Sequence, residues 1–107
     1  MSGLRSYALL KVRELGHGIH DLPSFDTSEF RSFGVRLDPY EDRLPIYRRA
    51  ETLLIIVAGS VTVVWREGSL VSTELGEGET AWTNPPAVEA LLAGSEGATF
   101  LAVVRRS

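Results

Sequence analysis

Leu53-Leu54-Ile55-Ile56-Val57 is apolar at five successive positions, and this run limits the folds open to the chain more than any other feature. Its β-branched residues and its length suit a strand better than a helix. Along a strand, Leu54 and Ile56 point one way while Leu53, Ile55 and Val57 point the other, so both faces require cover. Ala58-Gly59-Ser60 then offers a tight corner and Val61-Thr62-Val63-Val64-Trp65 returns, so residues 51–65 are expected to form a hairpin. Ala98 to Val104 repeats the two-faced pattern. Two such strands in 107 residues leave one apolar face wet in a lone small barrel, which predicts a homodimer.

The rest of the chain has the same punctuation. Tyr7 to Val12 is a possible first strand, and residues 16–29, GHGIHDLPSFDTSE, have loop composition. Phe33, Val35 and Leu37 alternate with Gly34 and Arg36, as in a strand with one buried face. Asp38 to Asp42 ends it, since Pro39 cannot donate to a ladder. After the hairpin, Arg66 to Ser69 is a turn, Leu70 to Leu75 a strand and Gly76 to Glu79 another turn. Thr80 to Thr83 extends, Asn84-Pro85-Pro86 stops it, and Val88 to Leu92 resumes. Gly94 to Gly97 turns into the last strand, Ala98 to Val104. Strands recurring every ~8–12 residues without internal repeats predict one all-β domain over residues 1–107, a closed barrel or jelly roll. Residues 1–32 are an N-terminal strand and loop, and residues 33–104 the barrel core.

Composition excludes several functions. A net charge of −3 opposes broad attraction to nucleic acid. Ten of the eleven basic residues are arginine, and the doublets Arg48-Arg49 and Arg105-Arg106 suit solvated or ion-paired surface groups. The longest apolar run is far short of the ~18 residues that span a bilayer. Charges interrupt the apolar residues of MSGLRSYALLKVREL too early for a signal-peptide core, so a cytoplasmic location and no membrane partner are expected. With no cysteine there is no disulfide framework, thiolate nucleophile or cysteine metal site.

At Gly59 and Gly78 the spacing resembles the cupin family of small jelly-roll barrels, over about residues 33–104. The first cupin motif, counted back from Gly59, puts its glutamate position at Thr52, its two histidine positions at Tyr47 and Pro45, and its first glycine at Pro39. The second, counted from Gly78, puts Pro-x-Gly at Asn84-Pro85-Pro86 and its histidine at Glu89. The resemblance implies an all-β, single-domain cupin-type jelly roll. Metal-binding cupins use three histidines and a glutamate, so the set Pro45, Tyr47, Thr52 and Glu89 implies that the protein carries no stoichiometric transition metal and no cofactor. Proline has no side-chain donor, threonine is a poor ligand, and a phenol with a pKa of about 10 is seldom a phenolate at neutral pH. A one-residue slip would put Glu51 at the acidic position, still a weak set.

The only histidines, His17 and His20, lie upstream in HGIH. Gly16 and Gly18 oppose a chelating helix, and on a strand residues three apart face opposite ways, so both are expected to be loop or edge residues. Carried over by position, Tyr47 and Glu89 converge inside the barrel. There they could form an acid–base pair or a hydrogen bond that satisfies two interior polar groups. Arg49, Thr52 and Trp82 are further candidate ligand-binding residues, with core packing as the plainer role for Trp82. Three functions follow as expectations. One is binding of a small polar metabolite without a metal. Another is a metal-independent isomerase, epimerase or lyase that moves protons through Tyr47 and Glu89. The third is an interaction module with a filled barrel.

Overall fold

The computed structural model describes residues 12–44, 50–83 and 88–106. Among them run seven strands: β1 (Gly18–Asp21), β2 (Phe30–Leu37), β3 (Asp42–Arg43), β4 (Thr52–Glu67), β5 (Ser69–Gly76), β6 (Thr80–Thr83) and β7 (Val88–Arg105). A 3-10 turn at Pro23–Phe25 links β1 to β2. Every ladder is antiparallel. The result is an all-β jelly roll.

Its frame is the long pairing of β4 with β7. Thr52 to Ala58 pairs with Val104 to Thr99, and Val61 to Trp65 pairs with Ala93 to Val88. Register shifts between Ile56 and Ala58 and between Gly59 and Val61 bend both strands at mid-length. The bend divides the sheet into two facing halves. On one side lie β1, β2, the second half of β7, the first half of β4, and β6. On the other lie β3, the first half of β7, the second half of β4, and β5.

This corrects the expected hairpin over residues 51–65. Gly59 has a φ of 72°, which suits a hairpin corner but equally a bend, and here the chain does not reverse. A Cβ at Gly59 would collide with the backbone carbonyl oxygen of Gly97, so the two strands cross too closely there for any other residue. Residues 94–97 likewise bend one continuous strand instead of separating two. The expected loop over residues 16–29 also contains a strand, because β1 finds a ladder partner in β2. Of the possible strand Tyr7 to Val12, only Val12 is among the described residues, and it sits in a helical turn.

The barrel core joins the two halves. Phe33, Val35, Leu54, Ile56, Phe100 and Ala102 come from one, and Val61, Val63, Leu75, Leu91 and Ala93 from the other, all within one buried cluster. A second cluster answers the puzzle of the two-faced strands. Val57 and Leu101, with half-buried Ile55 and Val103, face outward and are covered by Val12, Leu15, Leu22 and Phe25 of the same chain. Gly34 makes this cover possible, because a Cβ there would strike the Leu15 methyl group. Much of the face that suggests a dimer is therefore buried within the protomer. No helix among the described residues is long and apolar enough to cross a membrane.

Candidate functional site

β5 and β6 both pair with β4, at opposite ends of it, and no ladder joins them among the described residues. The barrel opens along that seam into a cavity of about 280 Å³. β4 contributes Val63, Trp65 and Glu67, which share a face at alternate positions. Thr73 and Leu75 of β5 lie on the same side, since Thr73 stands opposite Val63 and Leu75 opposite Val61. β6 adds Ala81, Trp82 and Thr83, and β7 adds Val88. Both tryptophans of the chain thus border one cavity, with a carboxylate and two threonine hydroxyls beside them. The Trp65 indole supplies apolar area, Trp82 stands at the rim, and the polar groups can fix the orientation of a guest.

The residues singled out from the sequence fare differently. Tyr47 and Arg49 lie outside the described residues, as does Pro45, so the pairing of Tyr47 with Glu89 does too. Thr52 points into the barrel and is 8 % exposed, its hydroxyl donating to the Ala50 carbonyl at 3.1 Å. Trp82 is not core: it stands opposite Leu53, on the outer face of β4, and is 57 % exposed at the cavity rim. Glu89 is the added residue of a bulge, because Val64 pairs with Ala90 and Trp65 with Val88. Val88 and Leu91 therefore take the inward positions, and the Glu89 carboxylate accepts a hydrogen bond from Arg66 Nε at 3.1 Å. The inner position falls at Val88, one residue earlier than the motif spacing predicts. Glu51 is half-exposed and pairs with Arg105 at 3.0 Å. Trp65, Glu67, Thr73 and Thr83 carry no role in the sequence reading, although the alternation of Val63, Trp65 and Glu67 marks them as one face.

Deeper in the barrel, a void of only about 20 Å³ lies among Thr52, Leu54, Thr83, Val88, Leu91, Phe100 and Ala102. It has room for a single water. Its described lining offers two hydroxyls and otherwise hydrocarbon, with no imidazole or carboxylate. Such a donor set does not fit a transition metal, which takes several nitrogen, sulfur or carboxylate ligands.

His17 and His20 sit at the barrel's outer edge. His20 Nε2 lies 2.9 Å from the Gly16 carbonyl oxygen. His17 Nε2 lies 2.6 Å from Glu41 Oε1, in the turn that follows β2. The Asp38 backbone N–H donates to the same oxygen at 3.0 Å and, with the His17 ring, holds the Glu41 carboxyl below its ordinary pKa.

The chain is similar to oxalate decarboxylase of Bacillus subtilis at pH 4.6, with a TM-score of 0.71 and 21 % identity, over 85 % of this chain and 26 % of that one. It is equally similar to a single-residue mutant of that enzyme, with a TM-score of 0.72 and 21 % identity, over 86 % of this chain and 26 % of the other. The chain thus spans about a quarter of the length of these neighbours, and the likeness establishes the cupin-type fold. No protein-family model and no curated protein matches the sequence.

Proposed function

We propose that this cupin-type domain binds one small polar metabolite at the seam between β5 and β6, with no transition metal in its barrel. The observation that carries this reading is the open cavity of about 280 Å³ bordered by Trp65, Trp82, Glu67, Thr73 and Thr83. That volume is at the low end for ligand pockets and suits a guest smaller than a drug-sized molecule. Oxalate decarboxylation does not come with the fold. Mn(II) centres are named for the Bacillus subtilis enzyme, and the described barrel interior here supplies no matching ligands. The proton-transfer reading through Tyr47 and Glu89 draws no support from a Glu89 carboxylate turned toward Arg66. An open cavity likewise speaks against a filled interaction module.

A cytoplasmic homodimer is the assembly we propose. Its support is the apolar surface left open where half-buried Leu53 stands beside Trp82. Light scattering at micromolar concentration tests it, and a monomer would end that part of the proposal. For the ligand, native mass spectrometry of freshly purified protein should show an added mass of a few hundred daltons or less that leaves on denaturation. Returning the extracted compound should quench the fluorescence of Trp65 and Trp82, and Thr83→Val and Glu67→Gln should each weaken that response by up to roughly tenfold, the scale of one lost hydrogen bond. Binding unaffected by both substitutions would place the ligand elsewhere.

A further inference from the structure

Outside the barrel, three metal-ligating side chains from two separate segments converge on one point. His17 precedes β1, while Asp38 and Glu41 bracket the turn that leaves β2, and one donor atom of each lies within 4.8 Å of the other two. His17 Nε2 is 2.6 Å from Glu41 Oε1 and 3.8 Å from Asp38 Oδ2. Donors held ~2.0–2.1 Å from a tetrahedral ion stand about 3.3 Å apart. One His17 separation is shorter than that, the other longer, and the two carboxylate oxygens stand no more than 4.8 Å apart, so shifts of about 1–1.5 Å would seat an ion between the three.

The turn that carries both carboxylates is set by backbone hydrogen bonds that do not depend on an ion, and Glu41 Oε1 also accepts from the Asp38 N–H at 3.0 Å. The Glu41 N–H donates to the Asp38 carbonyl at 3.1 Å, and the Ala93 N–H donates to the Glu41 carbonyl at 2.9 Å. The Tyr40 N–H donates to the Gly94 carbonyl at 3.0 Å, and Tyr40 has a φ of 61°, the left-handed conformation that this turn imposes on a non-glycine residue. Arg43 approaches the other carboxylate oxygen of Glu41, at 3.7 Å, so Oε1 alone turns toward the histidine. A cation held by His17 Nε2, Asp38 Oδ2 and Glu41 Oε1 would find two negative charges and an imidazole, with a fourth position open to water.

We propose that His17, Asp38 and Glu41 bind one divalent first-row transition cation of the Zn²⁺ class. The imidazole selects against Ca²⁺ and Mg²⁺, which take oxygen ligands in larger number. Binding would replace the contact between His17 Nε2 and Glu41 Oε1 with two bonds to the ion. It would also tie the segment that carries Val12 and Leu15 to the β2 turn, fastening the cover of the second cluster. This site is independent of the barrel cavity, and its test does not rest on the ligand reading.

The test uses the full chain, stripped with chelator and titrated calorimetrically with ZnCl2. Wild type should take up one Zn²⁺ per chain with micromolar affinity and unfold at higher temperature with Zn²⁺ but not with equal Mg²⁺. His17→Gln should weaken binding at least tenfold and abolish the thermal shift, whereas His20→Gln should leave both unchanged. Asp38→Asn, at a side chain 71 % exposed, provides a second loss-of-binding variant with little risk to folding. No saturable uptake, uptake indifferent to His17→Gln and Asp38→Asn, or uptake lost with His20→Gln would overturn the proposal.

Discussion

The two halves of the barrel share β4 and β7 yet treat their outer faces in opposite ways. Where β4 runs from Thr52 to Ala58, its outward residues Ile55 and Val57 are covered by the N-terminal segment. Where it runs from Val61 to Glu67, Thr62 and Val64 are only half-buried, and the neighbouring β5 is exposed from Ser69 to Glu74. One strand therefore changes, within a few residues, from an outer face of Leu53, Ile55 and Val57 to one of Thr62, Val64 and Arg66. The change marks the place where its outer cover ends. Two-faced apolarity is thus a statement about what lies over a strand, and over Ile55 and Val57 that partner belongs to the same chain.

Substitutions on the two outer faces put the comparison at risk. Leu101→Ala removes a side chain that is 8 % exposed, between Gly34 and Ile55 on the covered face. Urea denaturation should show a loss of about 3 kcal/mol, the middle of the range for buried leucine. A loss under ~1 kcal/mol would mean the N-terminal cover is not packed as described. At the boundary between halves, Gly59→Ala should cost about 2 kcal/mol through its left-handed backbone and its collision with Gly97, measured in the same way. Wild-type stability in that variant would show that the crossing is looser than its geometry implies. On the open half, Leu70→Ser replaces a residue 58 % exposed and should shift stability by no more than about 0.5 kcal/mol. A larger loss would reveal an unseen partner over β5 and erase the contrast.

Much of this architecture is legible from residues alone. Phe33, Val35 and Leu37 alternate in the sequence and form the inner face of β2. Thr80 to Thr83 is read as a strand and is β6. The bends were the harder part, because a glycine of positive φ serves both a reversal and a bulge, and only the partner strand decides between them. Glu89 shows the same limit at the site. Its orientation follows from a bulge opposite Val64 and Trp65, and a bulge inverts inside and outside without leaving a mark in the local composition. Trp65 and Trp82 meet at the cavity only because β5 and β6 both pair with β4 and leave a seam between them, a fact of topology that no local stretch encodes.

The pairing of β2 with the second half of β7 also sets an order on folding. Phe30 lies opposite Arg105 and Leu37 opposite Ala98, so β2 has no ladder toward the barrel until some sixty residues of later chain have been made. During synthesis the early segment must wait, with Phe33 and Val35 unsheltered, while the hairpin of β4 and β5 can already assemble locally. Loop closure over such spans is slow, which places this domain among the late-closing all-β folds. For a nascent chain of this kind the vulnerable interval is the one before its final strand emerges, when apolar edges are open to other molecules.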